Sequence, residues 1–156
     1  MDSIESRLAK LNITLPAAPK PVGAYVPFVR AGNLVFTSGQ LPFEGGKLAY
    51  VGKVPTEVSV EQGKEAARLA GINAIAVLRE ACGGDLARVV RIVRIGVYVQ
   101  SREGFEQQPT VANGASDLMV AVFGEAGRHA RAAVGANALP LNAAVEVEVV
   151  AEIKAE

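Results

Sequence analysis

The chain has 156 residues, half of them hydrophobic and 21 % charged, which suits one domain whose core needs neither disulfides nor metal. Lys and Arg balance Asp and Glu to a formal net charge of +0, with a pI near 6.6, which argues against a binder of nucleic acid or anionic membrane driven by bulk charge. A single cysteine, no run of ~18 apolar residues and no basic leader predict a soluble cytoplasmic protein with no disulfide framework and no metal site.

Ser3 is an N-cap candidate, and Ile4, Leu8 and Leu11 fall on one face of a short helix. Leu15 to Pro21 carries three prolines and reads as an extended connector, so residues 1–20 form a helix with its connector and 21–156 a single domain. Tyr25 to Arg30 and Leu34 to Ser38 read as a hairpin around Ala31-Gly32-Asn33. Phe43 to Thr56 reads as loop, with a short strand near Leu48 to Val51. Glu61 to Cys82 has a clear 3.6-residue period and stops at Gly83-Gly84, with Cys82 read as a buried small hydrophobe. Leu86 to Gln100 switches to a two-residue period and is apolar on both faces over part of its length, which predicts a central strand. Pro109 opens a second long helix that Gly124 to Gly127 closes. Two terminal strands follow, joined by Leu139-Pro140 and expected to pair. The order predicts an α+β fold, a mixed sheet with two long helices on one face, leaving the other face for burial in an oligomer.

No phosphate loop, zinc signature or nucleophile elbow is present. Arg131 lies among Ala130, Ala132, Ala133 and Val134, with no carboxylate beside it in sequence. Its guanidinium suits a substrate carboxylate, while pattern alone favours an ordinary surface or interface ion pair. Glu146 and Glu148 share one face of the last strand, opposite Val145, Val147 and Val149, as a solvated face would. His129 stands two residues before Arg131 and is expected on the same strand face. Ser38-Gly39-Gln40 ends a strand and could offer backbone N–H groups, or be a plain turn. Asn113 lies near the start of the second long helix.

Taken together, Phe36-Thr37-Ser38-Gly39-Gln40-Leu41-Pro42 and Ala130-Arg131 … Leu139-Pro140 … Val145-Glu146-Val147-Glu148, with Gly23-Ala24-Tyr25 before and Val97-Tyr98-Val99 between, resemble the reactive-intermediate deaminase family of the RidA/YjgF type, also called the endoribonuclease L-PSP family. The resemblance spans about Pro21 to Ile153. It implies a chorismate-mutase-like fold, a homotrimer around a central barrel with sites in the clefts between subunits, and cofactor-free hydrolysis of enamine/imine intermediates to 2-ketoacids and ammonia. In that scheme Arg131 grips the substrate carboxylate and Glu146 positions the attacking water. Tyr25, Ser38 and Gly39 line the pocket, and Asn113 joins them.

Ala133 stands where many deaminase-active relatives carry Cys, and His129 where many carry Pro. With the N-terminal helix, the long 43–56 loop and the 124–129 connector, these mark a divergent subgroup. Two other readings follow from the same family: a non-catalytic trimer that binds a small carboxylate, and a ribonuclease. The latter finds no basic-aromatic track in this chain.

Overall fold

The computed structural model of the chain describes residues 2–20 and 23–156. Pro21, the last proline of the expected connector, lies outside the described residues. The elements are α1 (Ile4–Lys10), β1 (Phe28–Ala31), β2 (Leu34–Thr37), β3 (Phe43–Glu44), β4 (Lys47–Leu48), α2 (Val60–Ala81), β5 (Val89–Gln100), α3 (Gln108–Phe123), β6 (Ala130–Ala136) and β7 (Val145–Ile153). The main sheet has the order β1-β2-β7-β5-β6, with β5 and β6 parallel and the other neighbours antiparallel. Helices α2 and α3 pack on each other and on one face of this sheet, which is the mixed α+β arrangement the element order predicts. Among the described residues no helix is long and apolar enough to cross a membrane.

The expected pairing of the two terminal strands is not what the chain does. Strand β5 lies between them, parallel to β6 through Ile95↔Arg131 and antiparallel to β7 through Ile95↔Val149 and Tyr98↔Glu146. Ile92, Ile95, Val97 and Val99 are buried toward the helices, and Gly96 and Gln100 are buried as well, in keeping with the central place in the sheet that the sequence predicts for β5. The segment from β6 to β7 must then step over the end of β5, and Gln100 anchors that step. Its Oε1 accepts the Leu139 N–H at 2.7 Å, and its Nε2 donates to Asn142 Oδ1 at 2.7 Å. Leu141 and Asn142 reverse the chain at φ 57° and 59°.

Other elements follow their local chemistry. Ser3 caps α1 by accepting the Ser6 N–H at 3.0 Å; Leu8 is buried, while Leu11, the C-cap, is exposed. Ile13 and Leu15 join the same buried cluster as Val122 and Phe123, so the stretch after α1 packs against the body. Strand β1 starts at Phe28, later than expected at Tyr25, because Pro27 accepts the Ser38 N–H at 2.8 Å but has no N–H of its own to return the ladder bond. The short strand expected at Leu48 to Val51 is a two-residue hairpin, β3–β4, turned by Gly45 and Gly46; Val51 makes only an isolated bridge to Ala143. Helix α2 begins at Val60 under a reciprocal Ser59–Gln62 capping box. Its Asn73 is buried and donates to the Leu41 and Phe43 carbonyls at 2.8 and 3.1 Å, fixing the chain beyond β2.

The two helices meet through small side chains. Ala66, Ala67, Ala70 and Ala74 of α2 and Ala112 and Ala115 of α3 are all buried. At Gly114 the approach is closest, for a Cβ there would run into the Lys64 carbonyl. Gly114→Ala is therefore expected to lower unfolding free energy by about 1–3 kcal/mol through overpacking, as read from a urea titration. An unchanged midpoint would mean that the helices separate without cost.

Candidate active site

Directly registered residues on neighbouring strands share a sheet face, and residues three apart on one strand do not. Arg131 is in register with Ile95, and Glu146 with Tyr98. Arg131 therefore faces the helices and Glu146 the open side. Strand spacing and rise put their Cα atoms about 14 Å apart. The two residues that the sequence singles out are not brought together within one chain; they head two separate groups.

The first group forms where β6 meets α3. Arg131 Nη1 has two hydrogens and gives both to neutral acceptors, Asn113 Oδ1 at 2.8 Å and Ser116 Oγ at 3.1 Å. Asn113 and Ser116 are three residues apart on α3 and so lie on one helix face. His129 precedes β6 instead of lying on it, yet it reaches the same place: Nε2 is 2.9 Å from Ser116 Oγ and Nδ1 2.6 Å from the Gly127 carbonyl. Ala133 follows on the helix side of β6, in register with Val97 and packed against the core. Ser116 was not legible as a site residue, although its i+3 spacing from Asn113 would have marked it once Asn113 was taken seriously. Arg30, Arg68, Arg88, Arg94 and Arg128 all pair with carboxylates. Arg131 makes no ion pair among the described residues, and its Nε and Nη2 donors carry no hydrogen bond there. Arg7, Arg79, Arg91 and Arg102 make no ion pair there either, so what sets Arg131 apart is the pair of neutral side-chain acceptors on its Nη1.

The second group lies at the end of β2 and the start of β7. The ladder between them runs to Phe36↔Val150, shifts, and resumes at Gln40↔Val147. In the gap the Thr37 hydroxyl accepts the Val149 N–H at 3.0 Å. This shift sets Gly39 against Glu146, so that a Cβ at Gly39 would strike the carboxylate. Ser38 and Gln40 use their N–H groups on the Pro27 and Val147 carbonyls, whereas the Gly39 N–H has no partner among the described residues. The Ser38 hydroxyl donates to the Val26 carbonyl, which ties the segment bearing exposed Tyr25 to the end of β2.

The two carboxylates on this face have different surroundings. Glu148 accepts the Tyr98 hydroxyl at 2.9 Å and lies 3.5 Å from Arg94. That hydrogen bond, with burial behind it, raises the Tyr98 phenol above its ordinary value. Glu146 has no such partner among the described residues. Burial and then the nearby Glu148 charge push its carboxyl above the usual range. Around these groups the sheet face is open, with Val29, Phe36 and Val134 each roughly half exposed. A fixed cation with a vacant donor edge and a carboxylate of raised proton affinity are the elements of a site that holds a small anion and moves a proton.

Residues 5–153 match the family described as "YjgF/chorismate_mutase-like, putative endoribonuclease". The chain is 42 % identical over 151 residues to Protein TCP17 of Trypanosoma cruzi, covering 96 % of this chain and 94 % of that one. It is 31 % identical over 146 residues to a 2-iminobutanoate/2-iminopropanoate deaminase of Dermatophagoides farinae, covering 93 % and 98 %. The crystal structure of Atu1372 from Agrobacterium tumefaciens, a protein of unknown function, superposes with a TM-score of 0.92 at 46 % identity over 97 % of this chain and 92 % of that one.

The raised Glu146 carboxyl fixes a sign for stability. The folded state binds this proton more tightly than the unfolded chain, so the group stabilises the fold below its ordinary value near 4.5 and loses that contribution as pH rises through the raised value. Glu146→Gln should therefore have a higher melting midpoint than wild type at neutral pH, with the gap closing toward pH 4. A variant less stable at neutral pH would show that the carboxylate is held by a favourable contact instead.

Proposed function

The chain belongs to the YjgF/chorismate-mutase-like family, and from that premise we propose that it hydrolyses enamine/imine intermediates of the 2-aminoacrylate type to 2-ketoacids and ammonia, in the cytoplasm and without a cofactor. The observation that carries this reading is the unpaired edge of Arg131. Asn113 and Ser116 occupy Nη1 and leave Nε and Nη2 available for the two oxygens of a carboxylate. The deaminase named among the relatives supports the substrate class.

Since Arg131 and Glu146 lie on opposite faces of one sheet, the reading requires a second copy of the chain. The open face with Val29, Phe36 and Val134 is the surface that association would cover. In the proposed homotrimer, Arg131 with Asn113 comes from one subunit, and Glu146 with Gly39, Ser38 and Tyr25 from its neighbour. Ala133 and His129 flank the Arg131 side.

The chemistry asks little of the protein. An enamine tautomerises to an imine, whose carbon is already electrophilic. Water adds its oxygen to that carbon as Glu146 takes one of its protons, and Glu146 passes that proton to the imine nitrogen to give the carbinolamine. Glu146 then takes the carbinolamine hydroxyl proton and delivers it to the amine; the C=O bond forms as the C–N bond breaks, and ammonia leaves with Glu146 ionised again. A carboxylate with raised proton affinity serves both transfers better than an ordinary one. Gly39, with no Cβ, leaves the space that the Glu146 carboxylate occupies.

The test is ammonia and ketoacid release from imines generated in situ by an amino-acid oxidase. Arg131→Ala should lower kcat/KM by about 100-fold, on the scale of a lost charge-assisted contact of about 3 kcal/mol, and Arg131→Lys should not restore it. Mixed subunits of Arg131→Ala and Glu146→Gln, each inactive alone, should regain about a quarter of wild-type activity, because random assembly pairs the intact halves across some interfaces. Wild type that binds 2-ketobutyrate but turns over no imine would move the reading to a carboxylate-binding trimer. RNA cleavage that vanishes with Arg131 would move it to a ribonuclease.

A further inference from the structure

The pair Ser116–His129 belongs to no part of the reaction just described, yet it touches the residue on which that reaction depends. A carbonyl only accepts, so the 2.6 Å contact to Gly127 requires His129 Nδ1 to carry a hydrogen. In the neutral ring Nε2 is then bare and can only accept. The Ser116 hydroxyl, 2.9 Å away, must be the donor. With its hydrogen directed at the imidazole, Ser116 Oγ turns its lone pairs outward, and one of them meets Arg131 Nη1 at 3.1 Å. A four-member chain results, in which a backbone carbonyl sets the tautomer, the tautomer sets the hydroxyl, and the hydroxyl sets the guanidinium.

The direction matters. A serine on a helix ordinarily has an alternative for its hydrogen, the carbonyl one turn earlier, and would then rotate away from a neighbour on the next layer. The bare imidazole nitrogen removes that freedom. Asn113 alone would hold Nη1 by one hydrogen bond and let the planar fork pivot about it, whereas two acceptors on one nitrogen fix the plane. The vacant Nε and Nη2 edge then points one way before any ligand arrives, which is preorganisation of the anion clamp.

We propose that Ser116 and His129 are positioning residues that lock the Arg131 guanidinium for carboxylate binding, His129 acting wholly through Ser116. This rests on Arg131 being the carboxylate clamp and adds a device that a proline at position 129 could not supply. Substrate affinity depends on the lock; the proton transfers at Glu146 do not.

The experiment has a binding arm, a kinetic arm and a spectroscopic arm. Affinity for 2-ketobutyrate, measured by calorimetry on the assembled protein, should fall about 10-fold in Ser116→Ala, the scale of one net hydrogen bond to a charged group. Ser116→Thr should restore it to within about 3-fold, since the hydroxyl is kept. His129→Ala should weaken it less, and the double variant Ser116→Ala/His129→Ala should bind no worse than Ser116→Ala alone, because His129 has no separate route to Arg131. With an imine substrate the same variants should raise KM and leave kcat within about 2-fold. His129 is the chain's only histidine, so its nitrogen resonances need no assignment. They should show the Nδ1–H tautomer, and the Nε2 signal should shift in Ser116→Ala.

Each result decides something. Ser116→Ala with undiminished affinity, additive losses in the double variant, or an Nε2–H tautomer overturns the lock while leaving the deaminase reading to stand on Arg131. Binding that follows the predicted pattern without any imine turnover keeps the lock and removes the deaminase reading. Wild type that neither binds 2-ketobutyrate nor turns over imines overturns both.

Discussion

Everything about the site follows from β5 lying between β6 and β7. Had β6 and β7 paired around the Leu139-Pro140 turn, β5 would have had a free edge. Val89–Gln100 instead has a neighbour along each edge, and the two terminal strands supply them. That insertion fixes which sheet face each side chain takes. Arg131 inherits the face of Ile95 and meets α3; Glu146 inherits the face of Tyr98 and meets the open side. A shift of one residue in the β7 ladder would turn Glu146 and Glu148 toward the helices and bury charge in the core, and one in the β6 ladder would take Arg131 away from α3.

The electrostatics of the two groups are complementary in kind as well as sign. The cation is held by amide and hydroxyl oxygens, which orient it without neutralising it. The anion is held by burial and by a like charge, which leave it a better proton acceptor. Glu148, by contrast, is satisfied by Tyr98 and Arg94. In the proposed arrangement a bound substrate carboxylate offsets the Arg131 charge, so Glu146 keeps its raised proton affinity while substrate is present.

Much of this was legible in the sequence, and the missing part has a physical cause. The 3.6-residue period of α2 and the two-residue period of β5 are local; α2 stands where its period puts it, whereas β5 starts at Val89, after a 3-10 turn at Leu86–Arg88 that Asp85 caps by accepting the Ala87 N–H, and its register shifts twice before Ile95. The alternation of Glu146 and Glu148 against Val145, Val147 and Val149 likewise reappears in the burial of β7. Strand order is not local. Nothing in residues 130–153 says whether their two strands touch each other or flank a third, and the third is β5, some forty residues earlier. Tyr25 was read into a strand because aromatic and β-branched neighbours favour one, and Pro27 overrode that preference. Ser116 gave no signal by itself, since a single serine on a helix carries no pattern. It became visible only when α3 was laid beside β6.

Two polar anchors hold neighbouring parts of the sheet by different means. At the end of β5, Gln100 binds the step between β6 and β7 with an uncharged amide that is itself buried. A few residues earlier on the same strand, Arg94 faces Glu148 across a partly exposed surface. Ionic strength acts on the second and passes by the first. Raising the salt concentration therefore loosens the Arg94–Glu148 contact between β5 and β7 and leaves the strand crossing that Gln100 holds as it is.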